Sequence, residues 1–348
     1  MPSIDFSRAY KCTLALRPVD RQTWTSGAPL EGLVSASVER DCTDECPLLE
    51  AGSVELDMGV WESFPEGWYR IEMLAEQGGA VERFPIATLL MSSSQSSIDR
   101  SLQTAKVEGS SVLKPASDRL MLTGTYAPKG CDGAQYAAGI LRECTPAPVE
   151  VEGSFTLDEH AVFGAGISYL QAAWTVLKAA DWCMRIKGDG TIVISEKPTE
   201  ASLELDTQGR ALMLPGAERS ADLSDVPNRY FAVDGDEVGE AVNDQGTETS
   251  IQARGRYVDY IDESPVKVNG ETMTAYARRK LQEMSTVTTE FSYTREFAPD
   301  LTCFDVLAGR VEEFGMEGGF RVLKQSLDCK AGITVSETLG REERLFTA

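Results

Sequence analysis

The sequence predicts a mainly β protein with a small α+β insert, and three observations carry that reading. Short runs of alternating apolar and polar residues fill the first third of the 348-residue chain. The middle changes to helical spacing and ends in a hairpin signal around Gly188-Asp189-Gly190. Alternation then returns, most clearly in TVTTEFSYTREF (286–297), and runs to the end. The chain is too long for one ordinary core and suits two or three domains. The expected division is a β domain at 1–115, an α/β domain at 116–205 and a second β domain with one helix at 206–348.

In the first segment, YKCTLAL (10–16) alternates and is followed by a turn-rich connection, Arg17 to Gly32, that carries Trp24. LVSASVERD (33–41) sets Leu33, Ser35, Ser37 and Glu39 on one face and Val34, Ala36 and Val38 on the other. SVELDMG, WYRIEMLAEQ, a Gly78-Gly79 turn, VERFPIATLLMSSS and TAKVEGSSVLKPAS continue the series. Strands this short and evenly spaced suit an antiparallel barrel or sandwich.

In the middle, AQYAAGILREC (134–144) is helical and stops at Thr145-Pro146-Ala147-Pro148. SYLQAAWTVLKAADW (168–182) is the strongest helix, with Leu170, Trp174, Leu177 and Ala180 or Asp181 at helical spacing and Ser168 as its N-cap. CMRIKGDGTIVIS then reads as two strands around a turn. In the last segment NRYFAVDG is a strand and ETSIQARGRYVDYIDES contains another. TAYARRKLQEM (274–284) is a helix with Tyr276, Ala277, Lys280, Leu281 and Met284 as its apolar stripe. Along 286–297, Thr289, Phe291 and Tyr293 oppose Glu290, Ser292 and Thr294. CFDVLAGRV, GGFRVLKQSLDC and GITVSETLG complete a meander.

The formal net charge is −22, from 55 acidic and 33 basic residues. That balance argues against ordinary nucleic-acid binding, which needs Lys and Arg to displace counterions from phosphates. MPSIDFSRAYK lacks the basic stretch and apolar core of a signal peptide. No stretch approaches 18 uncharged apolar residues, so no membrane span is expected. The eight cysteines, at 12, 42, 46, 131, 144, 183, 303 and 329, are scattered and read as reduced thiols of a protein made in a cytoplasm. Cys42 and Cys46 have CxxxC spacing without a second pair to complete a zinc site. Two thiols in a turn is the preferred account, with a local disulfide the alternative in an oxidising space.

Catalytic patterns are missing. The single histidine, His160, has no positioning partner in the sequence and reads as a loop or helix-entry residue. Phosphate-loop, HExxH and GxSxG motifs do not occur. Gly188-Asp189-Gly190 and Asp234-Gly235-Asp236 are too short for calcium loops and read as turns. No enzyme, cofactor or metal is expected.

Three stretches carry a resemblance. SYLQAAWTVLKAADWCMRIKGDGTIVISEKP, DLSDVPNRYFAVDGDE and TAYARRKLQEMSTVTTEFSYTREFAPDLTCFDVLAGRV stand in an order that resembles the tail hub proteins of tailed bacteriophages. This baseplate hub family extends to type VI secretion spikes and siphophage tail-associated proteins. Tyr230 and Ala232 depart mildly from the branched residues usual in the second stretch. Pro299, Leu301, Asp305 and Leu307 match the entry of the third with one offset.

The resemblance implies two β-barrel tube-type domains flanking the α/β insert, the second barrel beginning near residue 225. It implies a structural virion protein of the tail tip, assembled in the host bacterial cytoplasm. A homotrimer would present six barrels as a pseudo-hexameric ring, adapting a six-fold tail tube to a three-fold tip. Partners would be the tail tube protein, distal tail or baseplate proteins and the tape measure protein. DNA would pass through without specific binding, repelled by an acidic lumen. Interface candidates are Phe291, Tyr293 and Phe297 on the long strand, Phe304 beyond it, and Trp24 in the first long loop. The rival classes are a β-rich adhesin or carbohydrate-binding module, using Trp61, Trp68 and Tyr69, and a hydrolase without a recognised motif.

Overall fold

Alternation becomes strand throughout the first third of the chain. The computed structural model describes residues 4–6, 8–43, 47–57, 64–99, 102–206, 211–263, 265, 271–299, 301–311, 316–330 and 332–346. Six strands come first: β1 (Lys11–Pro18), β2 (Leu33–Asp41), β3 (Glu50–Asp57), β4 (Gly67–Gln77), β5 (Ala80–Asp99) and β6 (Leu102–Ser110). They lie in the order β1-β4-β5-β6-β3-β2, and the bridge Leu16↔Leu30 brings the lead-in of β2 back against β1. Every second residue of β4 points inward, so Tyr69, Ile71, Met73 and Ala75 join Leu16, Val38, Val54, Leu56, Leu89 and Met91 in one core. Gly78 and Gly79 turn β4 into β5 at φ 59° and 87°, a backbone that favours glycine. On β2, Ala36 and Val38 are buried as expected. Val34 is 49% exposed, because the register shifts between Leu33 and Ser35.

Helical spacing then yields the insert. α1 (Lys114–Asp118) is followed by β7 (Thr125–Ala127), α2 (Gly133–Arg142), β8 (Val149–Glu152), β9 (Ala161–Phe163), α3 (Tyr169–Lys178), β10 (Trp182–Ile186) and β11 (Ile192–Glu196). The strand expected to run on from residue 104 ends at Ser110, and Pro115 sits in the first turn of α1, where a missing N–H costs nothing. Ser168 caps α3 by accepting the Gln171 N–H at 3.1 Å, and Asp132 caps α2 by accepting from Ala134 and Gln135. β11 pairs antiparallel with β10 and parallel with β8. α2 packs on α3, burying Ala137, Ala138 and Leu141 on one helix and Leu170, Ala173, Val176 and Leu177 on the other. Trp174, expected in that stripe, is only half-buried.

The remainder comprises β12 (Ala201–Asp206), β13 (Ala211–Ala221), β14 (Arg229–Asp234), β15 (Glu237–Val242), α4 (Ile251–Arg254), β16 (Asp259–Asp262), α5 (Met273–Met284), β17 (Thr286–Glu296), β18 (Val306–Val311), β19 (Met316–Cys329) and β20 (Ile333–Arg344). The large sheet continues from β2 as β19-β18-β12-β13-β17-β20, and β19 also pairs with β20. The pairings of these last six strands therefore form a circuit. On β17 the burial alternates as the sequence predicts, with Val287, Thr289, Phe291, Tyr293 and Arg295 inward.

The chain divides into two units, residues 1–216 with 293–339 and residues 217–292 with 340–348. In the second unit β14 lies between β15 and β16 in a three-stranded sheet covered by α5. The strand at Arg229–Asp234 therefore builds its own small sheet; it does not open the second run of the large one. Its parity explains this: Tyr230 and Ala232 bury against Met273, Tyr276, Ala277 and Leu281. The Tyr230 and Tyr276 hydroxyls both donate to Asp262, at 2.9 and 2.6 Å. Lys280, expected in the apolar stripe of α5, instead pairs with Glu283 at 2.6 Å.

Candidate interface: the seam between the two strand runs

β2 and β19 pair antiparallel from Lys324↔Asp41 to Cys329↔Ala36, joining the two six-strand runs into one twelve-stranded sheet. A chain of buried polar groups crosses this seam. Glu50 at the start of β3 accepts from Arg40 Nε at 3.0 Å, and Arg40 Nη1 donates to Gln325 Oε1 at 3.2 Å. Arg40 also donates to the Ile86 carbonyl. Gln325 Nε2 donates to Glu337 Oε1 at 2.6 Å, and Glu337 takes a two-point bond from Arg295, at 3.0 and 2.9 Å. The Tyr293 hydroxyl donates to the same carboxylate. Residues of β2, β3, β17, β19 and β20 thus share one network.

Burial sets the titration of these groups. Glu50 is pushed up to about 7 by burial, which the charge of Arg40 opposes only in part. For Glu337 burial is the largest influence and acts upward. Arg295, Gln325 and Tyr293 together outweigh it and hold the carboxyl below its ordinary value. Tyr293 is pushed up, first by burial and then by Glu337. One carboxylate oxygen of Glu50 lacks a partner among the described residues. An arrangement of this kind holds strands in register.

The insert is tied to both strand runs. At the β10–β11 turn the Asp189 carbonyl accepts from Trp24 Nε1 at 2.9 Å and from Arg70 Nη2 at 2.7 Å. The Gly188 carbonyl accepts from Thr88 at 3.1 Å. A Cβ on Gly188 would lie 2.0 Å from the Pro85 carbonyl oxygen, so this approach needs glycine. Across the insert, Trp174 Nε1 donates to the Pro47 carbonyl at 2.9 Å, and Arg185 reaches Asp305 at 3.4 Å. Burial raises the Asp305 carboxyl above its ordinary value.

The predicted interface residues are placed as follows. Trp24 is half-buried at φ 56°, its ring 5.5 Å from that of Trp68. Phe291, Tyr293, Phe297 and Phe304 are all buried within the chain, Phe304 at φ 72°. The folding brings Tyr293 into the seam network and packs Phe297 on Phe6 in the core of the first strand run. His160 is exposed just before β9, accepting the Lys129 N–H at 3.0 Å. Among the described residues no group of three or more His, Cys, Asp or Glu is placed to hold a metal ion. No described helix is long and apolar enough to cross a membrane.

The seam residues were missed by pattern reading, yet each carries a signal. Arg40 shares the inward parity of Ala36 and Val38, and Arg295 that of Phe291 and Tyr293. Glu337 shares the parity of Ile333, Val335 and Leu339. A charge at an inward position demands a partner.

No protein-family model matches the sequence, and no curated protein matches it. The fold does have solved counterparts. A tail protein from Neisseria meningitidis MC58 is 10% identical, with 97% of this chain and 98% of that one aligned at a TM-score of 0.63. The 43 kDa tail protein of prophage MuSo2 from Shewanella oneidensis is 12% identical, covering 94% and 97% at 0.62. A prophage tail protein, gp18, from Listeria monocytogenes EGD-e is 9% identical, covering 95% of both chains at 0.50. The chain therefore has the fold of phage tail proteins, in keeping with the tail-hub resemblance of its sequence.

Proposed function

We propose that this chain is a structural hub of a phage-type tail tip or baseplate. In this reading β1–β6 supply one tube-type β-barrel and β12, β13 and β17–β20 the other, with the insert between them in the sequence and residues 217–292 forming a unit of their own. Three copies form a pseudo-hexameric ring that adapts a six-fold tail tube to a three-fold tip. The observation that carries it is the twelve-stranded sheet: one chain holds two six-strand runs, and the β2–β19 pairing joins them edge to edge. Two similar units per chain are what a trimer needs to meet six-fold symmetry. The circuit closed by β19 and β20 supports a barrel for the second run. The end-to-end match to a tail protein and a prophage tail protein supports the tail location.

The partners on this reading are the tail tube protein, a distal tail or baseplate protein and the tape measure protein, in a virion assembled in the host cytoplasm. β17 contributes to the ring with its half-buried face, Glu290, Ser292 and Thr294, while Phe291 and Tyr293 back it from inside. Phe297 and Phe304 support the same strands, and Trp24 fixes the first long loop. A formal charge of −22 per chain gives the ring an acidic lumen through which DNA slides without sticking. A carbohydrate-binding role finds less support. Tyr69 is buried, Trp68 packs on Trp24, and Trp61 lies outside the described residues.

The test is native mass spectrometry of the purified chain over a range of concentrations, alone and with a tail tube protein, followed by class averages. A trimer with a central hole, capped onto tube ends, is expected. A chain that stays monomeric with tube protein present overturns the proposal.

A further inference from the structure

CxxxC spacing joins Cys42 to Cys46 in the sequence, and Cys46 lies outside the described residues; among those described, Cys42 has a neighbour distant in the chain. Cys42 follows β2 and Cys303 precedes β18, the two strands that flank β19. The Cys42 N–H donates to the Leu323 carbonyl at 2.9 Å, and the Phe304 N–H to the Val322 carbonyl at 3.0 Å. The thiols cross over these backbone bonds. Cys42 Sγ donates to the Val322 carbonyl at 3.2 Å and Cys303 Sγ to the Leu323 carbonyl at 3.4 Å. The two sulfurs therefore sit at consecutive carbonyls of β19, each reaching across to the side from which the other cysteine's strand approaches.

The two thiols differ in access. Cys303 is buried, whereas Cys42 is half-buried on the wall of a cavity of about 610 Å³ that Trp174, Lys178, Trp182 and Lys197 also line. Hydrogen bonding with Cys303 holds the Cys42 thiol below its ordinary value, while the same bond and burial push Cys303 up. A half-buried thiol on a cavity wall beside a buried second thiol is the arrangement of an attacking and a resolving cysteine.

The geometry points to a two-cysteine redox clasp: Cys42 takes up a small-molecule disulfide from the cavity, and Cys303 resolves it to a Cys42–Cys303 disulfide. In the first step the Cys42 thiolate attacks one sulfur of a disulfide of the glutathione type, forming a mixed disulfide and expelling one thiolate. Cys303 then gives up its proton and attacks the Cys42 sulfur, expelling the second thiolate. The two cysteines lose two protons and two electrons, and the oxidant's S–S bond is reduced to two thiols. The product staples the end of β2 to the entry of β18 across β19. The clasp stays open in a reducing cytoplasm and closes once the protein meets an oxidising exterior. The inference rests on this fold and does not depend on the tail-hub reading.

The test incubates the folded full-length protein with oxidised glutathione and maps its peptides without reduction. Wild type is expected to yield a Cys42–Cys303 cross-linked peptide with no glutathione retained at either position. Cys303→Ser keeps glutathione on Cys42, and Cys42→Ser gives neither product. Oxidised wild type melts roughly 5 °C above its reduced form, a gain absent from both variants. Wild type that retains glutathione on Cys42 overturns the clasp. So does wild type in which Cys42 and Cys303 stay free while other cysteines react, and this readout needs no variant to fold.

Discussion

Two arginine–carboxylate pairs in this molecule share one geometry and differ in setting. Arg295 grips Glu337 at 3.0 and 2.9 Å, with side chains 1% and 0% exposed. Arg229 grips Asp259 at 2.8 Å through both contacts, with side chains 28% and 40% exposed. The shorter pair is the one in water, so bond length does not rank them. What differs is what happens when one partner leaves. Water solvates an abandoned Asp259, whereas an abandoned Glu337 stays buried beside Tyr293 and Gln325.

The comparison breaks most sharply at Arg295. Arg295→Met leaves the Glu337 charge uncompensated and is expected to cost about 4 kcal/mol of unfolding free energy in denaturant titrations. Adding Glu337→Leu to the same chain should recover most of that loss, because an apolar pair of similar volume replaces a buried ion pair at little cost. If the double variant is as unstable as the single one, the network contributes more than charge compensation.

The seam's other carboxylate responds to pH with the opposite sign from Glu337. Glu50 has its folded value raised from 4.5 to about 7, so the folded state holds its proton more tightly than the unfolded chain. Its stabilising contribution is complete below pH 4.5 and is lost as pH rises through 7, by on the order of 3 kcal/mol. Glu337, held below its ordinary value, contributes stability that is lost only as the pH falls. Glu50→Gln should therefore flatten the stability profile between pH 5 and 8 while leaving the acid limb unchanged. A profile parallel to wild type would show that Glu50 stays ionised in the fold.

What the sequence made legible follows the same line between local and distant causes. The Ser168 cap, the alternation of β17 and the Gly188-Asp189-Gly190 turn were readable because each is fixed by neighbours in the chain. β14 was placed in the wrong sheet because an alternating strand does not say which partner covers it; α5, 39 residues after β14 in the sequence, makes that choice. Arg40 meets Gln325 across 285 residues, and Cys42 meets the carbonyl of Val322 across 280. Neither pairing leaves a trace in local spacing. Trp24 was singled out as an interface candidate, but its partner, the Asp189 carbonyl, lies 165 residues away.

That docking gives a smaller effect than the seam. Gly188→Ala sets a Cβ against the Pro85 carbonyl oxygen, 2.0 Å away if nothing moves. The β10–β11 turn must lift, at about 2 kcal/mol. Trp24 then loses the Asp189 carbonyl, so a red shift in tryptophan emission should accompany the lower denaturant midpoint. Gly188→Ala with unchanged emission and midpoint would mean that the turn is not seated as closely as 2.0 Å implies.

The smallest effect belongs to the exposed pair and completes the comparison. Arg229 lies over the rings of Phe231 and Tyr257, at 5.0 and 4.4 Å from their centroids, besides holding Asp259. Asp259→Asn removes the ion pair and keeps both ring contacts, so its midpoint should match wild type in high salt and differ little in low salt. Arg229→Met removes ion pair and ring contacts together. If Arg229→Met is clearly the weaker protein and Asp259→Asn is not, the guanidinium is held by the aromatic faces and the carboxylate merely accompanies it. If the two variants melt together, the ring contacts add nothing, and the difference between the molecule's two arginine pairs reduces to burial alone.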